Sequence, residues 1–482
     1  IAAAHKCLPE RHPAVKLCVP PPASSHHYLQ KETGMAQHLL KYGELEWSVD
    51  VNPARLVAVL EPNPIPLPSV TAEQAVRQAL DAPIQSPPLS EQVKSGDKVC
   101  LLVPDVTRSW QSPSVYVPVM VDELNRCGIP DRDITILSAT GTHRRQTREE
   151  HVRLVGDDIL RRVAVTDHQC RDERDMVHVG ETSRGTPVKF NRHAVEADKI
   201  VSCCGVAYHF LAGYGGGGKM LLPGIAAYDT IQHHHNRALN EGFGNGTNPM
   251  VCSGNLENSN VFQADLLEAA AMLPPCFSLN VVVNDQFRIV KAFAGNWLGA
   301  HAAACRLVDS MEGVTIPERT PLVVASAGGY PKDINFYQTI KLLSNALAAA
   351  SPEATIILLS RCHDGFGDAD CQSQICDFSS MEERERALRT DFSIGAYVGF
   401  LFAEAAEKHK LILVTDMAPD NFTRTDIKAV RTLDEALEAA RTLNGGTLDM
   451  KTILMPCPRW GTEERLRISF RPVCIFRHNR AG

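Results

Sequence analysis

Short runs of valine, isoleucine and leucine recur along the chain, and longer segments between them repeat apolar residues every three or four positions. The short runs cover 98–103, 134–138, 163–166, 200–204, 279–283, 322–326, 355–359 and 411–415. A run that is apolar throughout suits a strand buried on both faces, which is the situation of a parallel sheet. Segments 114–126, 262–272, 336–350 and 433–443 carry the helical spacing. Strands alternating with helices predict an α/β protein with mainly parallel sheets flanked by helices. Residues 1–27 and 61–68 are rich in proline and read as irregular. The stretch 313–320, with a proline and mixed charges, reads as the connection between two domains. The expected organisation is an irregular extension over 1–27, a domain over 28–316, a smaller α/β domain over 317–460 and an extension over 461–482.

In such folds ligands gather where loops leave the carboxyl ends of strands, and the chemically notable residues fall there. Asp105 and Arg108 follow the first run, Gly141-Thr142-His143 the second, and Tyr208-His209 the run at 200–204. Tyr337, Gln338 and Lys341 follow the run at 322–326. Three strand ends from one domain and one from the next predict a cleft between domains. Arg108 has the planar fork that binds two oxygens of a carboxylate or phosphate, although a surface pair with Asp105 is the ordinary alternative. Gln338 and Lys341, three residues apart, share a helix face that could hold a small anion or simply face solvent. His143 and His209 suit two acid/base groups on opposite sides of a substrate, because imidazole titrates near neutral pH.

The densest signal is Gly213-Tyr-Gly215-Gly216-Gly217-Gly218-Lys219, followed by His233-His234-His235. Glycine lets a backbone approach a phosphate closely. Two familiar phosphate loops fail here. Met220 stands where a Walker A loop needs a hydroxyl for magnesium, and Pro223-Gly224 stop the helix that either a Walker loop or a dinucleotide fingerprint requires. Consecutive histidines on a helix diverge by about 100°, so at most one or two of the three can serve one site. Imidazole is a good ligand for nickel, zinc or copper.

Composition narrows the classes. The 482 residues are 44% hydrophobic and 22% charged, with a net charge of −7 and no basic face, so nucleic acid is not an expected partner. No apolar run reaches the roughly 18–20 residues of a membrane span. The 15 cysteines are an odd number without a C-x-x-C pair, as expected of reduced thiols in a cytoplasmic protein.

Taken in order, Asp105-Val-Thr-Arg108, Gly141-Thr-His143-Arg, Tyr208-His209 through Lys219-Met-Leu-Leu-Pro-Gly224, Thr230-Ile-Gln-His-His-His235 and Tyr337-Gln338-Thr-Ile-Lys341 resemble the nickel-pincer lactate racemase (LarA-like) family of 2-hydroxyacid racemases and epimerases. The resemblance spans about residues 40–455, with steps of ten residues from His209 to Lys219 and sixteen to His235. It implies a two-domain fold with the active site in the interdomain cleft. It implies that Lys219 carries, as a thioamide, a pyridinium-3,5-bisthiocarboxylic acid mononucleotide with nickel, made by cofactor-biosynthesis proteins. His235 would be the metal ligand and His143 and His209 the acid/base pair. Asp105, Arg108 and Gly215 to Gly218 would support the cofactor, while Arg108, Tyr337, Gln338 and Lys341 hold a 2-hydroxyacid. The chain departs from the lactate enzymes at Gly218, where they tend to carry arginine, and the aromatic wall of the substrate pocket aligns only loosely with 397–402. Two other classes stay open: a metal-dependent hydrolase using the histidine triplet, and a nucleotide- or phosphate-binding module using the glycine loop alone.

Overall fold

The computed structural model describes residues 36–61, 63, 68–252, 254–256, 260–284, 286–456 and 467–469. The expected extensions over 1–27 and 461–482 lie outside these residues, apart from 467–469, as does most of the proline-rich stretch 61–68.

Two six-stranded sheets organise the molecule. In the first, strands Val99–Pro104, Ile134–Ala139, Ala164–Asp167, Lys199–Gly205, Phe277–Val283 and Ile289–Gly295, counted one to six, lie in the order 6-5-4-1-2-3. Neighbours are parallel except the last, which turns back on the fifth as an antiparallel edge. This is the doubly wound order, in which the chain direction across the sheet reverses between strands one and four and leaves a crevice at their carboxyl ends. Every residue of Val99–Pro104 and of Phe277–Val283 is buried. That two-sided burial explains why the sequence there is continuously apolar.

The second sheet is parallel throughout, in the order Lys428–Val430, Lys410–Val414, Ala350–Leu359, Thr320–Ser326, Thr452–Met455, Leu56–Val59. Its last member comes from the start of the chain. The hairpin Ala36–Tyr42/Leu45–Val51 also packs on this sheet, through Leu40, Tyr42, Val49 and Val51. Residues 36–59 therefore belong with the C-terminal layer, and not with the N-terminal domain expected to run from 28 to 316. A four-residue strand with no partner nearby in sequence carries no local sign of where it pairs. The expected helix over 336–350 differs too: a 3-10 turn, Tyr337–Thr339, leads into Ile340–Ala349, and Ala350 already begins a strand. The hairpin Met176–Glu181/Pro187–Asn191 and the helices Trp297–Glu312 and Ile394–Lys408 complete the frame.

The two layers share one apolar core. Leu388, Phe392, Tyr397 and Phe400 of the second pack with Leu102, Leu137, Leu222 and Phe262 of the first. Polar ties reinforce it: Gln232 and Phe392 exchange hydrogen bonds of 2.9 and 2.7 Å, and Arg389 donates to the carbonyls of Asn240 and Gly242. Gln232 lies on the helix Tyr228–His235, so the histidine triplet is docked directly on the second domain. No helix among the described residues is long and apolar enough to cross a membrane.

Just beyond strand three, His168 is fully buried. Its Nε2–H donates to the Ala226 carbonyl at 2.9 Å, its Nδ1 accepts from Asn191, and its carbonyl receives the Thr140 hydroxyl. Burial pushes its pKa down to about 4. Between that value and the roughly 6.5 of an unfolded histidine, only the unfolded chain takes up the proton. The neutral ring's stabilisation is therefore complete above pH 6.5 and is lost as pH falls toward 4. We expect His168→Gln to shrink the difference in unfolding free energy between pH 7 and pH 4.5 by about 2 to 3 kcal/mol in denaturant titrations. An unchanged difference would remove His168 as the cause.

Candidate active site

At the carboxyl end of strand one, Asp105 is 5% exposed and precedes the 3-10 turn Val106–Gln111. His143 Nδ1–H donates to Asp105 Oδ2 at 2.5 Å, and the Thr107 hydroxyl donates to Oδ1 at 2.5 Å. Burial alone would raise the Asp105 carboxyl; the bonds from His143 and Thr107, with the Arg108 charge nearby, together hold it below the usual range. A carboxylate accepts only, so Nδ1 of His143 carries the proton and Nε2 keeps a lone pair. The loop bearing His143 is pinned by Gly141, in left-handed conformation at φ 55°, whose N–H donates to the Gly224 carbonyl at 2.9 Å. Asp105 is thus paired with a histidine, which the sequence motif had not joined to it.

Beyond strand four, the short hairpin Tyr208–His209/Gly213–Tyr214 is anchored by both tyrosine hydroxyls on Asp309 Oδ1, at 2.8 and 2.5 Å. The backbone N–H groups of Leu211 and Ala212 both point at His209 Nδ1, each at 3.2 Å. His209 Nε2 lies 3.0 Å from Lys219 Nζ. His209 thus meets donors at both ring nitrogens, two backbone N–H groups at Nδ1 and the Lys219 ammonium at Nε2, whereas His143 has its Nδ1–H committed to Asp105.

Several of the glycines between His209 and Lys219 are demanded by the protein's own packing. Gly216 and Gly217 have φ of 73° and 55°. A Cβ on Gly217 would stand 2.7 Å from the His301 ring, and one on Gly218 2.7 Å from Leu266 Cδ2. His301 also donates from Nε2 to the Gly215 carbonyl at 2.9 Å. Nothing in the sequence around His301, a lone histidine on a long helix, announced this contact. Lys219 lies in a 3-10 turn, Gly217–Met220, and the next α-helix begins only at Tyr228, as the Pro223-Gly224 pair predicts. The space an arginine at 218 would need is filled by Leu266.

On that helix the triplet divides: His233 is exposed, while His234 and His235 are buried. His235 donates from Nδ1 to the Ile231 carbonyl at 2.9 Å, which leaves its Nε2 lone pair available. Burial first, then the neighbouring His234 and Lys219, hold its pKa well below the ordinary histidine value, so the ring is neutral. His234 donates from Nδ1 to Asp265 Oδ2 at 3.0 Å, and Thr182 and Thr186 supply that carboxylate's other bonds. Among the described residues no three histidine, cysteine or carboxylate groups form a metal site, so the triplet does not make a hydrolase centre by itself. An aromatic series runs from His209 stacked on Phe210 (centroids 5.3 Å apart), to Tyr397 at 6.0 Å, to Phe392 at 5.6 Å, to His235 at 5.5 Å. It places Tyr397, from the loosely aligned stretch 397–402, between the two histidines.

Tyr337, Gln338 and Lys341 are half-buried at the carboxyl end of strand Thr320–Ser326. Asn335 Oδ1 caps the Gln338 N–H at 3.0 Å, and Tyr337 N–H donates to the Phe366 carbonyl. Tyr337 packs against the apolar core of the second domain, as does Phe210 from the hairpin that carries His209.

The glycine turn yields a clean contrast. Gly217→Ala, with its φ of 55° and the His301 ring in the way, should cost about 2 to 4 kcal/mol in chemical unfolding. Gly215→Ala, whose nearest neighbour would be the Ala207 carbonyl at 3.7 Å, should stay within about 0.5 kcal/mol of the parent. Equal losses at both positions would refute the packing account.

Comparison with known proteins places most of the chain in one family. The lactate racemase N-terminal domain matches residues 42–245, and the lactate racemase C-terminal domain matches 317–456. The lactate racemase of Lactiplantibacillus plantarum is 31% identical over 381 residues, covering 78% of this chain and 88% of that protein. The lactate racemase of Thermoanaerobacterium thermosaccharolyticum is 28% identical over 418 residues, 85% of this chain and 95% of the relative. The solved lactate racemase apoprotein from Thermoanaerobacterium thermosaccharolyticum superposes with a TM-score of 0.77 at 27% identity, covering 91% of this chain and all of that one (100%). The chain belongs to the lactate racemase family and is an isomerase of that kind.

Proposed function

We propose that the enzyme inverts C2 of a 2-hydroxyacid through the corresponding 2-keto acid, with lactate, the substrate named for its relatives, as the reference compound. The observation that carries the reading is the convergence of Lys219, His209 and the neutral His235. Lys219 Nζ lies 3.0 Å from His209 Nε2, and its charge reaches His235. The residues fit a nickel-pincer nucleotide. Lys219 provides an amine in a turn too tightly packed to swing away, and His235 a neutral imidazole with one fixed lone pair, a good donor for nickel. When bound, that group supplies a two-electron acceptor for hydride from C2, which avoids a carbanion beside a carboxylate.

The chain's own residues have defined tasks. Arg108, with Tyr337, Gln338 and Lys341 from the second domain, binds the carboxylate and fixes the orientation of C2. His143 accepts the hydroxyl proton at Nε2, and Asp105 stabilises the imidazolium that results while keeping the ring in the correct tautomer. His209 presents its Nε2–H to the substrate oxygen on the other side of the site. Converting the Lys219 amine to an amide removes a positive charge and releases His209 Nε2 from its present contact. Apolar packing by Phe210, Tyr397 and Phe392 keeps water from the space between the domains.

Protein produced with the cofactor-biosynthesis proteins should carry a Lys219 adduct by intact mass, absent in Lys219→Ala. Inversion of C2-deuterated substrate should retain the label; wash-out into water would overturn the mechanism. His143→Ala and His209→Ala should each lower kcat about 10²- to 10⁴-fold with the adduct in place. Asp105→Asn should lower kcat about a hundredfold or more, with a smaller change in KM, because it permits the wrong tautomer of His143.

A further inference from the structure

The loops that carry Asp105 and His143 are joined at a second point. Asp105 precedes the 3-10 turn Val106–Gln111, yet its carboxylate caps no N–H of that turn, being given to His143 and to the Thr107 hydroxyl. The first N–H of the turn, on Val106, therefore needs an acceptor from outside its own segment. Gln146, three residues beyond His143, supplies one: its Oε1 accepts from Val106 N–H at 2.7 Å. The other end of the amide is fixed too. Gln146 Nε2 donates to Asp167 Oδ1 at 2.7 Å, and its backbone N–H donates to Oδ2 at 2.7 Å. Asp167 ends strand three, beside strand two, and its side chain is 8% exposed. His151, on the helix Arg148–Val155, donates from Nε2 to the same Oδ1 at 2.8 Å.

These bonds leave Gln146 a single orientation. A carboxylate only accepts, so the amide nitrogen faces Asp167 and the amide oxygen faces Val106. Turning the amide over would set an N–H against the Val106 N–H and an oxygen against a carboxylate. Two cross-links, Asp105 to His143 and Val106 to Gln146, therefore join the same two loops, and strand three holds the second of them. We propose that Gln146, oriented by Asp167, is a positioning residue for the acid/base pair. It keeps the Asp105 loop in register with the His143 loop, so that His143 retains its proton on Nδ1 and its lone pair on Nε2. The part this plays in turnover rests on the reading of His143 as a base given above. Reacting groups depend on such support, because a displacement of about 1 Å can cost about a hundredfold in rate.

Exchanging the two polar groups tests the register. Gln146→Glu sets carboxylate against carboxylate, and Asp167→Asn sets donor against donor whichever way the new amide turns. In the double variant Gln146→Glu/Asp167→Asn the pattern closes again. The new carboxylate accepts from Val106 and from the new amide, whose oxygen accepts the backbone N–H of position 146, and His151 takes the remaining amide N–H in its other tautomer. In unloaded protein labelled with ring-15N histidine, the His143 signals, identified by their absence in His143→Gln, should report a proton fixed on Nδ1. Each single variant should show a mixture of tautomers, and the double variant should restore the parent pattern. In loaded enzyme each single variant should lower kcat/KM about 10- to 100-fold, with the double variant recovering to within about threefold of the parent. If either single variant fails to fold, Gln146→Met, which keeps the length of the side chain and loses its bonds, takes its place. Parent-like His143 signals in the single variants, or a double variant no better than they are, overturns the proposal. So does a tautomer mixture in the parent, or a disturbed His143 with unchanged turnover. Signals restored in the double variant, with no inversion of any 2-hydroxyacid by the loaded parent, support the positioning role and count against the activity reading alone.

Discussion

Everything in the candidate site depends on how closely the backbone of the glycine turn is gripped. Between Gly215 and Lys219 the chain passes strand four on one side, His301 on another and Leu266 on a third, at distances that leave no room for a side chain at 217 and bring Leu266 against position 218. A lysine is a long flexible arm, and by itself it fixes nothing about where its nitrogen goes. Here the arm starts from a point that cannot move, and its end meets His209, itself clamped by two backbone N–H groups. The glycines therefore serve the protein's internal packing first. Whatever the turn offers a ligand, it offers from the opposite face.

The second domain closes the arrangement. Its stretch around 389–397 touches the helix of the histidine triplet by hydrogen bonds at Gln232 and by ring contacts at Phe392 and Tyr397. Burial in that junction keeps His235 neutral, and a fixed backbone acceptor decides which nitrogen is left with a lone pair. Packing and electrostatics act together here: the same apolar contacts that join the domains strip water from the imidazole. The adjacent His234 takes a different course, committed to a buried carboxylate, while His233 faces solvent.

Much of the frame was legible in the chain. Strands at 99–104, 134–139, 199–205 and 320–326 announce themselves because two-sided burial leaves continuous apolar runs. The candidate site residues fall just after those runs, and the divergence of consecutive helical residues foretells that the triplet must split. The place of strand Leu56–Val59 was not legible, since its partner lies some four hundred positions away at Thr452–Met455 and the periodicity of a short strand carries no address. His301 and the Asp105–His143 pair were hidden for the same reason: each contact joins segments remote in sequence and is specified by no local pattern.

By itself the sequence determined the alternation of strands and helices, the turn that no helix can follow after Lys219, and the order of the chemically active residues. Those are local consequences of side-chain size, branching and backbone freedom. Only the tertiary structure decided which nitrogen of His143 and of His235 carries the proton, which member of the triplet is withdrawn from water, and why glycine is needed at 217. A tautomer depends on the partner a ring meets, and burial depends on what the rest of the fold lays over it.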